Sequence, residues 1–143
     1  MTVEPADPQP PAGFVLTDRR GAFNNHNGPY FRSPDGRQAF FALPRHCNDL
    51  GLIHGGMLAG FLDGVLANIA ARGLGATAIT VHMSVDFLDM GRAGQWVIGE
   101  ARLLRTAGDI AFVEARAFVG ARDLARAAGV FKLPRREKGR DAG

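Results

Sequence analysis

The chain has 143 residues, the size of one ordinary domain, and at that length it can bury about two thirds of the surface it exposes unfolded, so it needs no metal or disulfide staple. Cys47 is the single cysteine, which excludes an intrachain disulfide and suits a reducing cytoplasm, the compartment expected for the chain. The net charge is +3 and fifteen of the seventeen basic residues are Arg, but they are interleaved with acids, which argues against a nucleic-acid partner and leaves codon composition or attraction of an anionic ligand to explain the excess.

Residues 1–12, with their prolines, are expected to be a disordered lead that lacks the basic start and apolar run of a signal peptide. The domain is expected over residues 13–134. Phe14 to Asn25 reads as a short helix or an irregular segment. Pro29 to Ser33 and Gln38 to Leu43 read as two short strands joined by the turn formers Ser33-Pro34-Asp35-Gly36. A loop follows, from Pro44 to Ile53.

Gly55 to about Arg72 is the one long helix. Met57, Phe61, Leu62, Val65, Leu66 and Ile69 recur at helical spacing, and Gly73 and Gly75 supply the stop. The apolar run from Leu52 to Ala71 carries His54, Asp63 and Asn68, which a bilayer would penalise, so it reads as the buried helix of a soluble protein with no membrane partner.

Four strand-like runs come next. In Thr80 to Leu88, Val81, Met83, Val85 and Phe87 alternate with His82, Ser84 and Asp86. Gln95 to Leu104 alternates around Glu100 and Arg102. Ile110 to Val119 sets Ala111, Val113, Ala115, Ala117 and Val119 against Glu114 and Arg116, and Leu124 to Leu133 repeats the pattern with Ala125, Ala127, Gly129 and Phe131. Short turns and one polar face argue for an antiparallel sheet, and small residues on the other face leave room for a helix to lie close. The fold class is α+β: one long central helix wrapped by a curled antiparallel sheet of five or six strands. The basic run at residues 135–143 reads as a flexible tail.

The chemistry concentrates in His46-Cys47-Asn48-Asp49-Leu50-Gly51-Leu52-Ile53-His54-Gly55-Gly56 and in Asp63. Asp63 is a carboxylate on an apolar helix with no cation near it in sequence, and such a group is expensive unless paired or used. Gly55 and Gly56 open the helix, where free N–H groups and the positive dipole end can receive a ligand oxygen. The blander readings are a distant donor for Asp63, a helix-entry role for His54 and a turn role for Asn48. Eight residues separate Gly55 from Asp63, about 12 Å along a helix. If the two groups act on one substrate they must come from two chains, paired about a two-fold axis.

Asn48, then His54-Gly55-Gly56 six positions on, then Asp63 nine positions after His54, resembles the phenylacetate-degradation (PaaI-like) branch of the hotdog-fold thioesterases. The likeness runs from about Gly28 to Leu133 and takes in the Phe87-Leu88…Gly91 strand end and the final strand Ala127-Ala128-Gly129-Val130-Phe131. It implies a hotdog fold and hydrolysis of acyl-CoA thioesters by a homodimer, or a dimer of dimers, without a metal or redox cofactor. It also implies roles. The Gly55 N–H polarises the thioester carbonyl, with Gly56 beside it at the substrate. Asn48 holds the carbonyl or the water. His54 orients the loop or the sulfur side of the substrate. Asp63 of the partner is general base or nucleophile, and a hydroxyl on the following strand assists, best matched by Thr80 and next by Thr77. CoA phosphates then account for some of the Arg excess.

Hotdog dehydratases pair a His with a helical Glu at longer spacing, and this helix holds an Asp and no Glu. A non-catalytic acyl-CoA-binding module has no need of a buried carboxylate. A Cys47–His46 nucleophile pair, or a zinc site from His46, Cys47, His54 and His82, lacks the usual geometry and spacing.

Overall fold

The computed structural model describes residues 8–17 and 21–135. The first seven residues of the expected lead, and the basic tail from residue 136, lie outside the described residues. In chain order the elements are β1 (Val15–Leu16), α1 (Gly21–Asn27), β2 (Phe31–Arg32), β3 (Gln38–Phe41), a 3-10 turn (Pro44–His46), α2 (Gly55–Leu74), β4 (Ile79–Phe87), β5 (Trp96–Ala107), β6 (Ile110–Val119) and β7 (Arg122–Lys132). The strands form one antiparallel sheet in the order β1-β2-β3-β5-β6-β7-β4, curled around α2. This is the expected hotdog arrangement. The seventh strand is the two-residue β1, which the sequence pattern does not reveal.

The helix begins where His54 takes an extended conformation and caps it, its Nδ1 accepting the Gly56 N–H at 2.8 Å. It ends at Gly75, which adopts a left-handed φ of 78° and donates its N–H to the Ala71 carbonyl at 2.8 Å. Only a residue without a Cβ takes that conformation cheaply. Gly73, the other expected stop, stays helical and makes room for Leu103, whose Cδ2 would lie 2.7 Å from an added Cβ.

By length and mean hydropathy α2 could cross a bilayer, but its apolar stripe is spent on the sheet. Phe61, Leu62, Val65 and Leu66 are fully buried. Each such side chain contributes about 1.5–3 kcal/mol of burial, and Leu66→Ala would cost about 2–5 kcal/mol. The facing strands present Ala111, Ala117 and Ala125 with no exposure at all. A Cβ on Gly99 would sit 2.7 Å from Val65 Cγ2, and one on Gly129 3.1 Å from Leu66 Cδ1. The small inner residues therefore set how closely the sheet wraps the helix.

The outer face of β5, β6 and β7 carries the charges. Arg116 bridges Glu100 and Asp123 at 2.6 Å each, Arg102 pairs with Glu114, and Arg126 reaches Asp86 at 3.2 Å. These pairs are solvated, so each is worth about 0–1 kcal/mol.

One strand departs from its expected pattern. β4 pairs with β7 as Thr80↔Phe131 and then His82↔Val130, so a bulge sets Val81 outside the ladder. Phe131 faces the helix and Val130 faces out. Thr80 therefore joins Met83, Val85 and Phe87 on the helix side, while Val81 is 61% exposed instead of sharing their face. β4 is also an edge strand, and Ile79, Val81 and Phe87 leave large apolar surfaces on it.

Candidate active site

The loop before α2 is built by Asn48. Its Oδ1 accepts the N–H groups of Leu50 (3.0 Å) and Leu52 (3.2 Å), and its backbone N–H bonds the Leu52 carbonyl at 2.8 Å. Gly51 closes the turn at a φ of 73°. Two further bonds tie the loop down: Ile53 N–H to the Gly91 carbonyl (2.8 Å) and His54 N–H to the His46 carbonyl (2.9 Å). Asn48 is thus a turn former, as its blander reading held. With its oxygen occupied on backbone, the amide nitrogen is its remaining hydrogen-bonding group, and that group is a donor.

The bond from the Gly56 N–H fixes the tautomer of His54. A ring nitrogen that accepts the Gly56 N–H is unprotonated, so the proton of neutral His54 sits on Nε2. The first four N–H groups of a helix lack intrahelical acceptors. Here Gly56 bonds His54 Nδ1, and Met57 and Leu58 both bond the His54 carbonyl, at 2.9 and 3.2 Å. Among the described residues that leaves the Gly55 N–H without an acceptor. A Cβ on Gly55 would meet the Phe87 ring at 3.3 Å, so Phe87 flanks the helix start. Asn48 Nδ2, His54 Nε2 and Gly55 N are thus donors without an acceptor among the described residues, and the last two stand at the positive end of a twenty-residue helix. Such a set suits an oxygen that gains negative charge.

Asp63 is half-buried on α2. Its Oδ1 accepts the Thr80 hydroxyl at 2.6 Å, a short O–H···O bond. The distant donor allowed for in the sequence is therefore Thr80, brought inward by the bulge in β4, whereas Thr77 lies exposed before that strand. The structure joins Asp63 to Thr80 and sets His54, Gly55 and Gly56 at the start of α2, with Asn48 in the loop before it. It leaves the two sets about two helical turns apart on one chain.

Cys47 and His46 do not form a catalytic pair. His46 is buried, with Nδ1 accepting the Leu43 N–H at 3.0 Å and Nε2 donating to the Asn27 carbonyl at 2.6 Å. The Cys47 thiol donates to the Leu43 carbonyl, and burial pushes its pKa up, away from thiolate. No group of three His, Cys, Asp or Glu side chains among the described residues could hold a metal ion.

Beside the helix start lies a cleft of about 210 Å³, lined by Phe23, Tyr30, His54, Gly56, Met57 and Gly60 among others. The sequence pattern does not single out Phe23 or Tyr30. Their role depends on where α1 lands, and seven residues without an apolar stripe give no periodic signal.

Residues 50–125 match the family model described as Thioesterase superfamily. The chain is 35% identical over 130 residues to the Pseudomonas aeruginosa protein named Putative esterase PA0474, covering 87% of this chain and 97% of that one. Among solved structures it superposes on a putative thioesterase, a phenylacetic acid degradation-related protein of Ralstonia eutropha JMP134. The TM-score is 0.64 at 25% identity, over 85% of each chain. It also superposes on a hypothetical thioesterase protein of Streptococcus pneumoniae TIGR4, solved with coenzyme A. There the TM-score is 0.64 at 14% identity, over 76% of this chain and 84% of that one, a likeness of fold.

Proposed function

The chain belongs to the thioesterase superfamily, and from that premise we propose that it hydrolyses acyl-CoA thioesters to free acid and CoA as a two-fold homodimer. The observation that carries this reading is the split constellation. The Gly55 N–H and the His54 ring stand at the start of α2, the Asn48 amide lies in the loop before it, and one carboxylate, held by a hydroxyl, sits about 12 Å further along the helix. Thioester hydrolysis needs both halves at one carbonyl. The donors stabilise the oxygen that becomes an oxyanion, and the carboxylate takes a proton from water or attacks the carbonyl carbon itself.

In this reading the Gly55 N–H and Asn48 Nδ2 receive the carbonyl oxygen. Gly56, without a side chain, lets the substrate lie close, and the Nε2 proton of His54 faces the sulfur side. The partner subunit's Asp63 activates the water or forms the bond, and Thr80 keeps that carboxylate pointed. Along the water route the acyl carbon keeps the new C–O bond, the C–S bond breaks, and CoA leaves as the thiol with the proton that Asp63 took from water. Along the direct route Asp63 forms a mixed anhydride as the C–S bond breaks, and water then cleaves that anhydride, giving the free acid, restoring the carboxylate and supplying the thiol proton.

The exposed edge of β4 supports the dimer. A nine-residue strand with apolar side chains and unpaired backbone groups is a template for another strand. Pairing it with its own copy would extend the sheet and bring the two copies of α2 alongside each other with reversed direction. The coenzyme A in the Streptococcus pneumoniae neighbour supports CoA as the carrier. A cytoplasmic setting, with no metal or redox cofactor, goes with this reading.

The test is a panel of acyl-CoA thioesters, followed by free-thiol release, with Asp63→Asn beside the wild type. Asparagine keeps the shape and removes the base. The variant should fold and dimerise, and its kcat should fall by about a hundredfold or more. Binding of acyl-CoA without turnover by the wild type would instead favour a sensing module. An Asp63→Asn protein as fast as the wild type would place the chemistry elsewhere.

A further inference from the structure

The start of α2 is roofed by α1, a helix with no buried residue of its own. Polar clasps hold it. The Arg45 guanidinium donates to the carbonyls of His26 (2.9 Å) and Gly28, and the buried His46 ring donates to the Asn27 carbonyl at 2.6 Å. These bonds fix the C-terminal end of α1 and so fix Phe23 above Gly60. The Phe23 Cε1 and Cζ atoms lie 3.6 and 3.7 Å from where a Cβ on Gly60 would stand. Gly60 is thus one turn beyond Gly56 on α2, and its missing side chain is the space under the Phe23 ring.

The opposite wall does not yield. Tyr30 stacks on Phe61 with centroids 5.9 Å apart, and Phe61 packs edge-on against Phe40 at 4.8 Å. All three are buried. The cleft between roof and wall measures about 210 Å³. That is less than the roughly 300–1,000 Å³ of pockets that take drug-sized ligands, and the cleft is open on one side, with Asn27 and Arg45 also in its lining.

Resting on the thioesterase reading above, we propose that this cleft takes the acyl group, and that Phe23 and Gly60 limit it to compact acyl groups. Short chains and single rings fit, and long fatty chains do not. A carbonyl held at Gly55 directs its acyl carbon chain past Gly56 toward Gly60, where the gap ends under Phe23. Gly60 and Phe23 are specificity-determining residues. Arg45 and His46 are positioning residues that act through α1.

The experiment compares kcat/KM for acetyl-, hexanoyl-, benzoyl-, decanoyl- and palmitoyl-CoA in three proteins: wild type, Gly60→Leu and Phe23→Ala. The wild type should prefer hexanoyl- or benzoyl-CoA to palmitoyl-CoA by about tenfold or more. Gly60→Leu fills the gap and should lower the hexanoyl-to-acetyl ratio by about tenfold. Phe23→Ala removes a side chain that is 68% exposed, so it carries little risk to folding, and should raise the decanoyl-to-hexanoyl ratio by about tenfold. A wild type that takes palmitoyl-CoA as readily as hexanoyl-CoA overturns the size limit while leaving the thioesterase reading intact. So do variants that change all five substrates by one factor. A wild type that hydrolyses none of the five overturns the thioesterase reading, and this inference falls with it.

Discussion

Thr80→Val isolates the side-chain bond that Asp63 makes among the described residues. Valine keeps the branched shape and the strand preference of threonine, so the fold should lose little. What disappears is a 2.6 Å hydrogen bond to a carboxylate. A bond to a charged group is worth about 1.5–3 kcal/mol where water is excluded, but Thr80 is exposed and Asp63 half-buried, so about 1–1.5 kcal/mol is the fitting range. About 1.4 kcal/mol is tenfold in rate. If the bond holds the carboxylate in its working orientation, kcat should fall about tenfold with KM nearly unchanged. Thr80→Ser restores the hydroxyl and should recover most of the rate, whereas a mere packing role would be rescued better by valine. Steady-state kinetics on a good acyl-CoA substrate, paired with thermal melts, make the measurement. Unchanged kcat in Thr80→Val, or equal losses in the valine and serine variants, would refute the argument.

Three more outcomes follow from the same geometry. Gly55→Val places a side chain against the Phe87 ring and across the approach to the Gly55 N–H. It should lower kcat/KM about tenfold or more with the melting temperature within a few degrees, and an unimpaired variant would remove the helix start from the mechanism. Lysines at both Ile79 and Val81, each more than half exposed, should leave the protomer folded but shift sedimentation from dimer to monomer and abolish turnover, and an active monomer would break the two-chain site. Burial pushes the Tyr30 hydroxyl up to about 12, against an opposing pull from Arg45, while in the unfolded chain it titrates near 10. The neutral form is favoured in the fold, so its contribution to stability is present below about pH 10 and is lost as the pH rises through about 12. The loss amounts to about 2–3 kcal/mol in chemical denaturation and should be absent in Tyr30→Phe.

The parts of the fold that a local pattern can encode were legible in the sequence. β6 and β7 put on the helix side the small residues their alternation assigns there, and α2 starts at Gly55 as its periodicity and glycines require. What was not legible depends on contacts between distant residues. β1 has two residues and α1 has seven, too few for a period to emerge, and α1 is held by Arg45 and His46, which follow it by about twenty positions. The loop order from Asn48 to Gly56 was readable as a motif, yet the motif does not say that the Asn48 oxygen is consumed by backbone and its nitrogen left over.

Thr80 shows where two readings of one strand part company. Strict alternation sends Thr80 to the polar face with His82, Ser84 and Asp86, away from Asp63. The family resemblance sends it toward the carboxylate. Both cannot hold in a regular strand, because residues two apart share a face. The bulge between Thr80 and His82 resolves the conflict by adding one residue, Val81, so that Thr80 turns inward and His82 still faces out. No glycine marks the spot in the sequence, since the bulge is set by the register of β4 against β7 rather than by a local conformational need. A bulge that interrupts the ladder and leaves an apolar side chain in water has a cost, and it is offset by the bond from Thr80 to Asp63. The same exposed Val81 lies on the edge that a second copy would cover. One irregularity thus serves both halves of the proposed site: it aims the hydroxyl at the carboxylate, and it leaves at the sheet edge the apolar surface that would join the carboxylate to its partner's helix start.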